Sequence, residues 1–246
     1  EMVISLNPGP ITRLVKASKY VAEYPYGCVV QNISRFLPLL TLKTLLAKKG
    51  MDGLLSGLKV EELAATGLEN VQRSQNDDGS WGWWSGDRGN EFLTCYALYA
   101  LHTARRLGRT VDANRVENGL EAVGRMLAAA GDDHDAAAHL LYVYALHGRW
   151  SDPAFRDISG RRNPTAYTLA YLVRAAALGR NIRNLPAHEK ERIESTLPRA
   201  IDALRNMQKR DGRGIYWEAP PSHAWGWQGG SVELTAQVLE TLVIAG

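Results

Sequence analysis

The chain has 246 residues and a formal net charge of +3, from 29 Lys and Arg residues against 26 Asp and Glu residues. Its 45% hydrophobic and 22% charged residues are typical of a folded globular domain, which excludes a disordered or low-complexity chain. The charge is small and no basic run is present, so nothing indicates nucleic-acid binding. No apolar stretch reaches the roughly 18 residues of a membrane span, and we expect no direct membrane insertion.

In chain order, the predicted elements are all helices. Apolar residues recur at steps of three and four along most of the sequence, and the alternation typical of strands is nearly absent. The pattern predicts helices over 10–22, 28–48, 59–75, 91–107, 113–130, 134–147, 165–179, 187–209 and 231–245. Pro38 lies inside the second of these and predicts a kink or a restart there. Many helices joined by short loops indicate an all-α fold.

The start of the second helix carries the residues with the clearest chemistry. The sequence reads Tyr24-Pro25-Tyr26-Gly27-Cys28, and Gln31 follows three positions after the cysteine. This spacing places Cys28 and Gln31 on one face of the first helical turn, where unpaired N–H groups favour a thiolate. Attack of the sulfur on the nearby Gln31 amide would release ammonia and leave an internal thioester.

A short motif recurs between helices. Residues 75–83 and 208–217 share Gln-x-x-Asp-Gly followed by aromatic residues, and each precedes a helix with a threonine near its start, Thr94 or Thr235. In our interpretation the Asp-Gly pair makes a turn and the aromatic side chain fills the seam between helices. A recurring helix–turn–helix unit predicts a closed or stacked helical array.

Other candidate sites have simpler explanations. Cys95 lies on an apolar helix and is expected to be a small core residue. Cys28 and Cys95 do not form a zinc-binding pattern. We assign Asp77 and Asp78 to the turn, and the Asp132–Asp133 pair to capping of the next helix, so the sequence predicts no metal and no cofactor.

These motifs resemble the thioester domains of complement proteins and bacterial α2-macroglobulins. The matching residues are Pro25, Tyr26, Gly27, Cys28, Gln31, Ser34, Arg35, Leu37 and Pro38, the segments 78–84 and 93–101, and the second turn near 211–235. One position departs from the family pattern, because Val30 occupies the place of a glutamate. The resemblance implies an α/α toroid of helical hairpins. It also implies that residues 1–246 are one thioester-type domain of a larger protein, with an incomplete toroid at the C-terminus.

The resemblance also implies a function. In this family the thioester stays hidden until an attacking protease cleaves a bait region of the parent, and then acylates an amine of that protease once. The chain would thus be an inhibitor domain rather than an enzyme. Its partners would be target proteases and other domains of its parent, in the periplasm or at the cell surface.

Three side chains are candidates for shielding the thioester from water by their matching positions: Tyr24, Trp83 and Trp84. The two tryptophans could equally pack a helix seam. His223 is a candidate base for activating the acyl group, although a histidine in such a loop is more often simply solvated.

Two other functions are compatible with the same helical pattern. An isoprenoid enzyme of the terpenoid cyclase or prenyltransferase type would share the toroid, but the sequence lacks the acidic run or the Asp, Cys and His zinc ligands that such enzymes require. The second alternative is a helical scaffold without covalent chemistry, for which Val30 is the main argument.

Overall fold

A computed structural model of the chain describes residues 13–17, 27–212, 214–220 and 230–245. These residues are mostly helical, which confirms the all-α prediction, whereas the toroidal arrangement stays a prediction. Residues 13–17 are helical, and a short 3₁₀ turn spans Asp52–Leu55. The elements are α1 (Val29–Ala47), α2 (Val60–Arg73), α3 (Glu91–Arg106), α4 (Ala113–Ala129), α5 (His134–Leu146), α6 (Asp152–Gly160), α7 (Ala166–Gly179), α8 (Ala187–Asn206), β1 (Lys209–Asp211), β2 (Gly214–Tyr216) and α9 (Ser231–Ala245).

The structure differs from the sequence prediction at α6 and at the end of α8, and in part at Pro38. Helix α6 was not predicted, because it is short and buries only Phe155 and Ile158, too few for a helical period. Helix α8 ends at Asn206 rather than at 209, and an antiparallel hairpin of β1 and β2 follows it. Of the two outcomes predicted for Pro38, the restart is wrong, because α1 continues through Pro38, and the kink stays a prediction.

The chain divides into two compact units, residues 1–122 and 123–246, with the border inside α4. In the first unit α1 packs against α2 and α3. Its core is aliphatic and aromatic, and the side chains that are almost fully buried include Ile33, Phe36, Leu40, Val71, Trp81, Leu93, Leu98 and Leu101. Gly67 lets α2 approach α1 closely, since a Cβ atom there would lie 2.7 Å from the Phe36 ring. This packing holds α1, whose first turn carries the candidate site, against α2.

An ion pair links the C-terminal half of α1 to α2. Glu61, at the start of α2, binds Arg109 and also Lys43 of α1. The hydrogen bonds from Arg109 and Lys43 lower the pKa of the Glu61 carboxyl to about 2. The carboxylate therefore stays charged at neutral pH and bridges the two helices.

In the second unit, α7 is buried along most of its length and packs against α5, α8 and α9. It carries a buried arginine, Arg174, whose Nε donates to Thr241 Oγ1 at 2.7 Å. One terminal nitrogen donates to the Gln237 carbonyl at 2.6 Å and to Glu240 Oε2 at 2.9 Å. Because a buried charge needs such partners, Arg174 ties α9 to α7.

His139 is a buried histidine in the second unit. Its ring stacks on Tyr171 with 4.4 Å between centroids, and burial together with the nearby Arg174 charge lowers the histidine pKa from 6.5 to about 3. Between these pH values the unfolded chain binds a proton that the folded chain does not, so the free energy of unfolding falls as the pH falls.

We therefore expect a His139→Phe variant to lose less stability on acidification than the wild type. The difference in free energy of unfolding between pH 7 and about pH 4 should be smaller by at least about 1.4 kcal/mol, the equivalent of one pKa unit. Urea unfolding over this pH series measures it. Parallel pH profiles for the two proteins would show that His139 is not the group responsible.

Candidate functional site

Cys28 and Gln31 lie together on the first turn of α1. Cys28 is the residue that caps the helix, with an extended backbone (φ −67°, ψ 166°), and its side chain is buried. The backbone N–H of Cys28 donates to Gln31 Oε1 at 3.1 Å. The two residues form a reciprocal capping box, an arrangement usually made by Ser or Thr with Glu or Gln. The amide group of Gln31 is thereby held beside the residue that carries the sulfur.

A buried asparagine that the sequence interpretation missed holds the residue before the cysteine. Asn32 Nδ2 donates to the Gly27 carbonyl at 2.7 Å, and Asn32 Oδ1 accepts from Asn70 Nδ2 of α2 at 3.3 Å. The Asn32 side chain is only 6% exposed. A polar residue on the otherwise apolar face of α1, directly after Gln31, was the signal in the sequence that could have revealed it.

The loop of the first aromatic motif contacts the same helix start. The backbone N–H of Val29 donates to the Trp83 carbonyl at 3.0 Å, so this loop runs beside the first turn of α1. The Trp83 side chain is partly buried, whereas that of Trp84 is 53% exposed. Of the two predicted shielding tryptophans, Trp83 is therefore the more covered by protein.

The turn that precedes this loop is tightly specified. Asp78 Oδ1 accepts hydrogen bonds from the Ser80 backbone N–H at 2.9 Å and from its hydroxyl at 2.6 Å. Gly79 has a φ of +82°, and a Cβ atom there would lie 2.1 Å from the Asn118 carbonyl oxygen. Only glycine fits this position without moving the backbone of α4. The predicted Asp-Gly turn is therefore confirmed.

The repeated motif makes the same pair of tryptophan hydrogen bonds in each unit. Trp81 Nε1 donates to the Val71 carbonyl at 2.7 Å, and the Trp81 backbone N–H donates to Thr94 Oγ1 at 3.1 Å. In the second unit Trp217 Nε1 donates to the Leu204 carbonyl at 2.7 Å, and the Trp217 backbone N–H donates to Thr235 Oγ1 at 3.0 Å. Each tryptophan is buried between the end of one helix and the start of the next, as predicted for the seam.

The remaining predicted positions are distributed as follows. Val30 is buried on α1. Gly27, two residues before the first residue of α1, is exposed. Tyr24, Pro25, Tyr26 and His223 lie outside the described residues.

The side chains assigned to packing or capping behave as expected. Cys95 is fully buried, and burial raises its thiol pKa, as does the charge of Glu91. Asp133 caps α5 by accepting from the Ala136 N–H at 3.0 Å.

Among residues 27–212 and the other described segments, no three His, Cys, Asp or Glu side chains form a group that could hold a metal. The described helices include none with the length and apolar character of a membrane span.

Comparisons with family models and with individual proteins agree on one family. The family model described as the A-macroglobulin TED domain matches residues 9–242. An α2-macroglobulin of Thermotoga maritima is 29% identical over 147 residues, which is 58% of this chain and 8% of that protein. Thioester-containing protein 1 of Anopheles gambiae is 32% identical over 117 residues, 47% of this chain and 9% of that protein. The chain thus spans less than a tenth of the length of these relatives.

Solved structures share the fold. The native Escherichia coli α2-macroglobulin, determined by cryo-electron microscopy, superposes with a TM-score of 0.69 at 22% identity, covering 94% of this chain and 14% of that one. Salmonella α2-macroglobulin reacted with methylamine superposes with a TM-score of 0.66 at 22% identity, also over 94% of this chain and 14% of its own.

Proposed function

Because the chain belongs to the A-macroglobulin TED domain family, we propose that it is the thioester-bearing domain of a protease-trapping inhibitor of the α2-macroglobulin type. The observation that supports this most directly is the hydrogen bond from the Cys28 N–H to Gln31 Oε1 at 3.1 Å. It holds the amide that must react on the same helical turn as the sulfur that must attack it.

Formation of the thioester is an intramolecular acyl transfer. The Cys28 sulfur attacks Gln31 Cδ, the C–N bond of the amide breaks, and the thiol proton leaves with the nitrogen as ammonia. Holding the two groups on one turn replaces an encounter in solution by a local rotation of side chains, which is the main contribution that proximity makes to such reactions. The Cys28 side chain is buried and Gln31 is partly exposed, so the sulfur of the product would be covered by protein more fully than its carbonyl group.

Capture of a protease is a second acyl transfer, which takes place at the same carbonyl carbon, Gln31 Cδ. An amine of the target protease attacks Gln31 Cδ, the C–S bond breaks, and the amine proton is transferred to the departing Cys28 thiolate or to solvent. The protease is left attached through an amide at residue 31. Exposure of the site by cleavage elsewhere in a longer parent, and a periplasmic or cell-surface location, belong to this proposal.

A second candidate is a helical scaffold without covalent chemistry, and Val30 favours it. Val30 is buried at the position where the family has a glutamate, so any contribution of that carboxylate to forming or holding the bond is missing. The two functions differ in the reactivity of residue 31, which makes them separable in one experiment.

Methylamine tests the proposed function on the purified chain. We expect it to be incorporated at residue 31 and to release one thiol at Cys28, both located by peptide mass spectrometry. The Gln31→Glu variant is the matched control, since it keeps the size of the side chain and equals the hydrolysed product. Absence of incorporation in the wild type would favour the scaffold.

Trp83→Ala should expose the thioester to water. The Trp83 carbonyl accepts from the Val29 N–H, so residue 83 lies beside the first turn of α1. Loss of the partly buried Trp83 side chain should therefore raise the rate of spontaneous hydrolysis several-fold. The rate is measured as the loss of methylamine-reactive protein over time. Trp84→Ala is the control, because the Trp84 side chain is 53% exposed. Equal hydrolysis rates in wild type and Trp83→Ala would remove Trp83 from the shield.

A further inference from the structure

The peptide group that joins Gly27 to Cys28 is held at both ends by side chains of α1. Its carbonyl accepts from Asn32 Nδ2 at 2.7 Å, and its N–H donates to Gln31 Oε1 at 3.1 Å. Both side chains follow Cys28 on the same helix. The orientation of this one peptide plane is therefore set by the helix that carries the reacting amide.

We propose that the backbone N–H of Cys28 is the hydrogen-bond donor that stabilises the oxyanion during acyl transfer at Gln31, and that Asn32 is the residue that positions it. This inference rests on the proposed thioester function and assigns the group that activates its electrophile. The side-chain hydrogen bonds of Asn32 run to Gly27 and Asn70 and not to the reacting atoms, so it is a positioning residue rather than a catalytic one.

The geometry suits this role because the donor already points at the oxygen on which charge develops. When a nucleophile attacks Gln31 Cδ, the C=O double bond becomes a single bond and the negative charge collects on Oε1. The intermediate then collapses, with the C–N bond breaking in thioester formation or the C–S bond breaking in capture. A donor about 2.7–3.1 Å from the position that the oxyanion occupies stabilises the intermediate more than the ground state. The Cys28 N–H is 3.1 Å from Oε1 of the unreacted amide, so it is placed to bind this oxygen as charge develops on it.

Asn32 contributes in two ways. Its hydrogen bond to the Gly27 carbonyl prevents the peptide plane from rotating, which keeps the Cys28 N–H aimed at Gln31 Oε1. The same bond draws electron density towards the carbonyl oxygen and makes the N–H of that peptide a stronger donor. Asn32 is 6% exposed, and its own oxygen accepts from Asn70 on α2, so a neighbouring helix holds the side chain in place.

The experiment uses the whole chain labelled with [5-¹³C]glutamine. The carbonyl carbon of a thioester resonates well apart from amide carbonyls, and a hydrogen bond to its oxygen moves the signal downfield. We expect Asn32→Leu, which is similar in size but cannot donate, to shift this resonance upfield. We also expect it to slow reaction with methylamine about tenfold, equivalent to about 1.4 kcal/mol in the barrier.

The control is Asn181→Leu, which removes a comparable bond from Asn181 Nδ2 to the Ala177 carbonyl, 3.1 Å long, at the end of α7. It should leave both the resonance and the methylamine rate unchanged. Circular dichroism establishes that each variant is folded. A folded Asn32→Leu protein with an unshifted resonance and the wild-type methylamine rate would overturn the role of Asn32.

A measurement on the wild type keeps the proposal testable if Asn32→Leu does not fold. The Cys28 amide should be protected from hydrogen exchange while the thioester is intact. A Cys28 amide that exchanges freely in the intact domain would overturn its role as donor. If the wild type has no thioester resonance, the proposed function fails together with this inference.

Discussion

Replacement of Cys28 by alanine should abolish every covalent property of the domain. We expect Cys28→Ala to have the full mass calculated from its sequence, to incorporate no methylamine and to attach to no protease amine, because no sulfur remains to hold the acyl group. The cost in stability should be about 1 kcal/mol, the typical cost of removing a side chain that caps a helix. Intact mass spectrometry and thermal unfolding measure the two effects.

Cys95→Ala is the matched control for this change. Cys95 is also buried, but it lies within α3, and burial raises its thiol pKa, which disfavours the reactive thiolate. The Cys95→Ala variant should still be lighter than its calculated mass by one ammonia, and it should still react with methylamine. Loss of these properties in Cys95→Ala, or their survival in Cys28→Ala, would contradict the assignment of the thioester to Cys28.

Replacement of Trp81 by alanine should cause the largest loss of stability. Trp81 is fully buried, and its side chain occupies the space beside Gly119, where a Cβ atom would lie 2.9 Å from the indole ring. Truncation leaves a cavity and removes the hydrogen bond from Nε1 to the Val71 carbonyl. Such changes cost about 3–5 kcal/mol, which lowers the thermal midpoint of a domain of this size by roughly 6–20 °C.

Trp84→Ala is the control in the same loop. Its side chain is 53% exposed, so the free energy of unfolding should change by no more than about 0.5 kcal/mol. Trp217→Ala should behave like Trp81→Ala, since Trp217 is 3% exposed and makes the equivalent two hydrogen bonds. A midpoint for Trp81→Ala close to that of Trp84→Ala would show that the seam tryptophan does not hold the helices together.

The helices themselves were predictable because their apolar residues repeat over several turns. Helix α1 begins at Val29 and α3 begins at Glu91, within one residue of the positions that the pattern predicted. Short elements were not predictable in this way. Helix α6 has two buried apolar residues, and the β1–β2 hairpin has strands of three residues, so neither repeats long enough to give a period.

The candidate site was predictable only in part. The spacing of Cys28 and Gln31 indicated one helical turn, and the structure places both residues there. The support of that turn was not predictable, because it depends on contacts between residues distant in sequence. Asn32 reaches Asn70, and Val29 reaches the Trp83 carbonyl, across separations that no local pattern encodes.

The bond between Cys28 and Gln31 is the central claim, and the intact mass of the natively purified wild-type chain tests it most directly. A thioester makes the protein lighter than its sequence by one ammonia. Methylamine should then restore the mass to that of the sequence plus one methylene group and release one additional thiol. A mass equal to that calculated from the sequence, unchanged by methylamine, would contradict the claim.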